Sequence, residues 1–298
     1  MPLVPLTRLL ADARTGGYAV GYFEAWDSYS LEAVVEAAEA ERAQVVLGFG
    51  CLLVDRAWLD GGGIEALGCL GRRVAERARV PTCLLLNETH TLEQALRGLE
   101  TGFTAVMMHT GGQSPADAVE QVSSLVRAAH ERGAAVEGEL GRLPDATEGE
   151  IDDTHAVLTD PDEAAAFVAA TGVDCLAVSF GNVHVLEGRA APVDLDRLEA
   201  VRRCVDVPLA VHGGTSFPPE AVEAAIARGV AKFNVGTVLK RTFFEGLAEA
   251  VEAGPGDLSP HDVLGSHGPH DLLEAGKQRL IPAVRRLIRL YGGSGRAA

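Results

Sequence analysis

Positive charge is scarce in this chain: 26 lysines and arginines stand against 42 aspartates and glutamates in 298 residues, a formal net charge of −16 at pH 7. Such a surface repels polyanions, so neither nucleic acid nor an anionic membrane is an expected partner, although a local loop can still hold a phosphate. Lysine occurs only at Lys232, Lys240 and Lys277. The sequence places none of them at the end of an apolar strand, where a desolvated nucleophilic amine is expected, and Schiff-base chemistry is therefore disfavoured. Cys51, Cys69, Cys83, Cys175 and Cys204 are odd in number, widely spaced and mostly set in apolar segments. Buried thiols are expected rather than disulfides or a cysteine-built zinc site. No apolar run approaches the roughly 20 residues of a membrane span. The first residues lack the basic and apolar regions of a signal peptide, so a cytoplasmic location is expected. No GxGxxG follows the first strand-like segment, which argues against an open dinucleotide-binding sheet.

What is present is a regular alternation, with 47% hydrophobic residues to fill a core. Strand-like runs cover Tyr18–Phe23, Val45–Phe49, Thr82–Leu86, Ala105–Met108, Ala134–Leu140, Cys175–Ser179 and Leu209–Val211, with an eighth run closing on Asn234. Helical periodicity covers Leu3–Ala13, Leu31–Ala43, Ile64–Ala78, Leu92–Glu100, Ala116–Arg132, Pro161–Thr171, Leu195–Arg203, the stretch between the last two strands, and Val238–Ala253. Parallel strands need helical crossovers, and eight such units close, so the pattern predicts an α/β fold, a (β/α)8 TIM barrel forming one domain over residues 1–298. A loop rich in Gly, Pro and His over Gly254–His270 precedes a C-terminal helical extension, Leu272–Tyr291. The tail GGSGRAA is expected to be mobile.

In a barrel of this kind the strand C-termini meet at one face. Glu88, His109, Glu139, His184 and His212 end, or just follow, five different strands, and converging nitrogen and carboxylate groups can hold a divalent ion. Singly, each has a plain structural reading; together they point to a metal site. The turns GGTS (Gly213, Gly214, Thr215) and NVGT (Asn234, Gly236, Thr237) follow the last two strands and offer backbone N–H groups to an anion. Glu24, Trp26 and Asp27 either line the same pocket, or Trp26 packs under the first helix while Asp27 or Ser28 caps it.

The ordered segments PLTRLLADARTGGYAVGYF, TGFTAVMM, VEGELGRLP, TDPDEAAAFVAATGVDCLAVSFGNVH, VDVPLAVHGGTS, GVAKFNVGT and RLYGGSGRA resemble the class II, metal-dependent fructose- and tagatose-bisphosphate aldolases over nearly the whole chain. The resemblance implies that His184 and His212 are metal ligands, and that Gly181, Gly213, Thr215, Asn234, Gly236 and Thr237 form the pocket for a ketose phosphate. It also implies a divalent ion, Zn²⁺ above Mn²⁺ or Co²⁺, and a homodimer or larger assembly. The chain departs from the family in four places. Asn87 stands where the family has its proton-donating Asp, and Glu88 where it has the third ligand His, with His90 as an alternative. His109 replaces an Asp beside the metal, which makes Glu88 and His109 a possible ligand swap with Glu139 beside them. Val185 replaces a Gly that contacts phosphate. The base expected in the loop after strand five is Glu148, among Glu150, Asp152 and Asp153. The implied chemistry is aldol cleavage or condensation through an enediolate. An isomerase or epimerase that breaks no carbon–carbon bond is the alternative, which Asn87 would suit, since an amide does not donate a proton as a carboxylic acid does. A non-catalytic paralogue that binds a sugar phosphate also remains open.

Overall fold

In a computed structural model, residues 3–297 are described except 145, 147–155, 185, 187, 189, 255 and 257. Eight parallel strands, β1 (Val20–Glu24), β2 (Val45–Gly50), β3 (Thr82–Thr89), β4 (Ala105–Met108), β5 (Ala135–Leu140), β6 (Cys175–Val178), β7 (Leu209–Val211) and β8 (Val230–Val235), close into a barrel in sequence order. Helices connect them, as the alternating apolar and amphipathic segments require. Each strand is buried on both faces. Residues such as Tyr22, Leu85, Met107, Ala135, Ala177 and Ala210 fill the barrel, while Phe23, Leu47, Val106, Val136 and Phe233 pack outward against the helices. The helix Leu6–Gly16 sends Leu6, Leu9, Leu10 and Ala13 into the interior cluster and closes the barrel at the end away from the strand C-termini.

Local rules explain most boundaries. Asp27 and Ser30 form a reciprocal capping box that starts the helix Ser28–Glu41, and Asp160 and Asp194 cap the helices after them. Asp27 is therefore a cap. Trp26 stacks edge-on against Phe243, 5.3 Å between centroids, and covers the inner side of the helix Thr237–Ala253.

Several expectations need correction. β3 runs on through Asn87, Glu88 and Thr89, past the expected end at Leu86. Short helical turns over Arg56–Trp58 and Leu59–Gly63 lead into the helix Ile64–Arg77, and Pro260–Val263 forms a turn of helix inside the expected loop. Cys51, Cys83 and Cys175 are buried as expected, but Cys69 and Cys204 are exposed. The C-terminal tail is held down. Ser294 donates to Glu41, the N–H groups of Gly295 and Ala297 reach the carbonyls of Glu41 and Arg42, and Arg296 lies 5.3 Å over the Tyr18 ring. Glu41 gathers this corner, since Arg285 and Arg289 of the helix Leu272–Leu290 also bind its carboxylate. No helix among the described residues is long and apolar enough to cross a membrane.

Candidate active site

A cavity of about 700 Å³ opens at the strand C-termini, and its walls include Glu24, Asn87, Glu88, His184, His212 and Lys240. Three of these offer ligand atoms that all lie within 4.8 Å of one another: Glu88, His184 and His212. The rings of His184 and His212 are nearly parallel, 12° apart, with centroids separated by 5.6 Å.

Two adjacent residues of β3, Asn87 and Glu88, both reach the cavity, which a regular strand forbids because successive side chains point to opposite faces. The strand is irregular here. Between Leu86 and Thr89 the register with β4 shifts, and Glu88 has φ +55°, the left-handed region that a non-glycine residue rarely adopts. The bulge turns the Glu88 carboxylate inward to the histidines, and Asn87 donates its amide to Glu88 Oε2 at 2.8 Å. His90 is not in this group: its Nε2 faces the Cys51 carbonyl at 3.1 Å.

His212 is oriented from behind. Its Nε2 lies 3.0 Å from Glu137 Oε1, and its Nδ1 faces Glu88 Oε1 at 3.6 Å and Glu139 Oε1 at 3.7 Å. Glu137 in turn binds Lys232 at 2.6 Å, and Lys232 also donates to Asn234, whose amide lies 2.8 Å from His212 Nε2. Burial, the largest influence on each of these acids, pushes their carboxyls up. It is outweighed at Glu88 by His212 and at Glu137 by Lys232 and His212, so that both are held at about 2. Burial alone would lower the His212 imidazole, but Glu137 and Glu88 raise it to about 10. Glu139 moves the other way: burial lifts it above the ordinary carboxylate value, with His212 only partly offsetting this.

Glu88 Oε1 and Glu139 Oε1 are buried acceptors without a hydrogen-bond donor. Orphaned carboxylate oxygens beside two imidazoles are the donor set of a divalent cation, so these residues fit a metal. Glu139 and His109 lie close by, but neither belongs to the convergent three. His109 Nδ1 is buried without a hydrogen-bond partner.

The anion turns are partly committed elsewhere. Gly213, Thr215, Gly236 and Thr237 line the cavity. Gly213 has φ +70°, and a Cβ there would clash with the Val183 carbonyl, so no other residue fits this turn without strain. Thr215 Oγ1 accepts from the N–H of Val238 and joins the two turns. Asn234 also lines the cavity, with its side chain engaged by His212 and Lys232, whereas the Gly214 N–H is used by the Asn234 carbonyl and Gly181 packs against the Pro192 carbonyl, neither glycine being part of the cavity lining. Glu148, Glu150, Asp152, Asp153 and Val185 lie outside the described residues.

The sequence reading missed Glu137 and Lys232. Lys232, not at a strand end, is nonetheless fully buried within β8, paired with Glu137 rather than free to act as a nucleophile. A signal was available: an acid in AVEGEL and a lysine in VAKFNV are charges inside otherwise apolar strands, which survive only when paired.

A family model described as "Fructose-bisphosphate aldolase class-II" matches residues 4–296. The chain is 31% identical over 319 residues to a fructose-bisphosphate aldolase of Thermus caldophilus, covering 99% of this chain and 100% of that protein. It is 30% identical over 291 residues to a sulfofructosephosphate aldolase of Alkalicoccus urumqiensis, covering 97% of this chain and 96% of that one. Among solved structures, the YdjI aldolase of Escherichia coli K12 superposes with a TM-score of 0.81 at 25% identity, over 99% of this chain and 100% of its own.

Proposed function

The chain belongs to the class II fructose-bisphosphate aldolase family, and from that membership we propose that it is a divalent-metal lyase that cleaves or forms a carbon–carbon bond in a phosphorylated ketose. The observation that carries the reading is the convergence of Glu88, His184 and His212, with orphaned carboxylate oxygens, in a cavity that also contains Gly213 and Thr215. A bound ion, most suitably Zn²⁺, would supply a Lewis acid for the ketone oxygen and for the negative charge that develops as the bond breaks.

The residues of the chain do the rest. Glu137 holds His212 by its Nε2 and directs Nδ1 into the cavity, the arrangement by which a histidine ligand is usually fixed. Lys232 keeps Glu137 ionised and in place. Gly213, Thr215 and Thr237 line the cavity, in the turns whose N–H groups would suit the phosphate. A carboxylate at position 88 in place of an imidazole keeps the ligand set mixed, as the ligand swap supposes; the swap is one-sided, since His109 stays outside the convergent three. The names of the two relatives share a fructose phosphate, which is consistent with a ketose phosphate here.

The test is release of triose phosphate from a panel of ketose phosphates by purified protein, with and without chelator. Cleavage that chelator abolishes and added metal restores supports the reading. Proton exchange without cleavage would instead select the isomerase or epimerase alternative that Asn87 invites.

A further inference from the structure

Bond cleavage in an aldol requires a base for the hydroxyl beside the scissile bond, and Asn87, at the expected place, has none to offer. Among the described residues of the cavity, Glu88, His184 and His212 form the convergent set. Lys240 and Arg241 are cations without a lone pair to accept a proton. Burial and neighbouring acids push the Tyr22 phenol well above its ordinary value. Among the described residues that line the cavity one further carboxylate is left, Glu24; Glu139, the other acid nearby, is not part of that lining and faces His212 Nδ1 at 3.7 Å.

Its placement suits the role. Glu24 ends β1, and its carboxyl group lies over the neighbouring strand at Gly50: a Cβ built there would be 3.0 to 3.2 Å from the carboxyl atoms. Gly50 is the register partner of Asn87 on β3, so the Glu24 carboxyl stands one strand away from the amide that lacks the chemistry. On its other side, a Cβ at Gly236 would clash with Glu24 Oε2. Two glycines thus leave the space that this carboxylate occupies. Lys240 binds Oε1 at 2.6 Å and itself lies over the Trp26 ring at 5.9 Å, and Trp26 is braced by Phe243. Around the carboxyl stand the Lys240 ammonium, the Tyr22 phenol on the same strand and the Cys51 thiol after β2.

We propose that Glu24 is the catalytic base and acid for the substrate hydroxyl, doing from β1 what Asn87 cannot do from β3; the proposal rests on the reading of the site as one that cleaves a carbon–carbon bond. In cleavage, the O–H bond breaks and its proton passes to a Glu24 carboxylate oxygen. The O–H electron pair forms the aldehyde C=O, the scissile C–C bond breaks, and its electron pair stays with the ketone half, which takes up a proton from water; the hydroxide so formed takes the proton from Glu24 and restores the carboxylate. In condensation the same proton returns from Glu24 to the new hydroxyl.

The experiment compares metal-loaded wild type, Glu24→Gln and Glu24→Gln/Asn87→Asp in two assays. One is triose phosphate release from fructose 1-phosphate and fructose 1,6-bisphosphate. The other is solvent-deuterium exchange into dihydroxyacetone phosphate, which needs no base at the hydroxyl. Glu24→Gln is expected to lose about 100-fold or more in cleavage kcat, to keep exchange within about threefold, and to retain its metal content and Tm. Asn87→Asp in that background is expected to restore at least about tenfold. Unchanged cleavage in Glu24→Gln, or equal loss of cleavage and exchange, overturns the role of Glu24. Wild type that exchanges but cleaves neither sugar sinks the cleavage reading itself, and this role with it.

Discussion

Lys232 on β8 and Glu137 on β5 form a 2.6 Å ion pair inside the barrel, with neither side chain exposed to solvent. The two strands are far apart in sequence, and a register shift in β8, where Ala210 pairs with Lys232 after Leu209 has paired with Val230, aims the lysine at its partner. The pair lies directly behind His212, since Glu137 Oε1 also binds His212 Nε2. A buried charge is tolerable only while its partner remains.

Removing one partner therefore costs more than removing both. Lys232→Met is expected to lower the unfolding free energy by about 3 to 5 kcal/mol. A Lys232→Met/Glu137→Leu double variant should recover part of that loss, as measured by chemical denaturation. Metal affinity should fall by about 10- to 100-fold in the double variant, where His212 loses Glu137, the group that orients it.

The ligand set has a direct test in metal content. Wild type is expected to retain a divalent ion through desalting, and a His184→Ala/His212→Ala variant to retain none above background by elemental analysis. Undiminished metal in the double variant would place the ion elsewhere.

Glu41 sets a pH dependence of stability. Arg289, the largest influence, holds its carboxyl at about 2 against the ordinary 4.5, with Ser294 and Arg285 assisting. A carboxyl lowered in the folded state is ionised and paired above the unfolded value, and that stabilisation drains away as pH falls from about 4.5 toward 2. Glu41→Gln should thus lower Tm at pH 7, and the gap to wild type should close on acidification over that window. A gap that widened in acid would contradict the pairing.

Gly213 and Gly172 both have positive φ, at +70° and +71°, but their surroundings differ. A Cβ at Gly172 meets only Val126 Cγ1 at 3.7 Å, whereas at Gly213 it would strike the Val183 carbonyl. Gly172→Ala is expected to cost about 1 kcal/mol. Gly213→Ala should cost more and also raise KM for a phosphorylated ketose, measurable by thermal unfolding and steady-state kinetics.

Glu88, Glu24 and the C-terminal tail show how far the chain could be read before its fold was known. Glu88 was legible as a ligand candidate from its place at a strand end, but its inward turn depends on a left-handed residue in a bulge, which no period of two predicts. Glu24 was legible only as one of three residues, with Trp26 and Asp27, that could line the pocket. What settles its direction is the space left over Gly50, at the end of β2, and over Gly236, in the turn after β8. The tail reads as flexible from GGSGRAA, yet Glu41, some 250 residues earlier, holds it through Ser294.

Alternating apolar runs and amphipathic helices determined the barrel from the sequence alone, because parallel strands need crossovers and a closed sheet leaves no edge; the same periodicity placed Glu88, His184 and His212 at one rim. Only the tertiary structure decided which of the rim residues converge, which lysine is buried against Glu137, and where the Glu24 carboxylate reaches. Those outcomes turn on distances of a few ångströms between side chains from strands remote in sequence, and on the room that glycines leave for them, neither of which hydrophobic periodicity encodes.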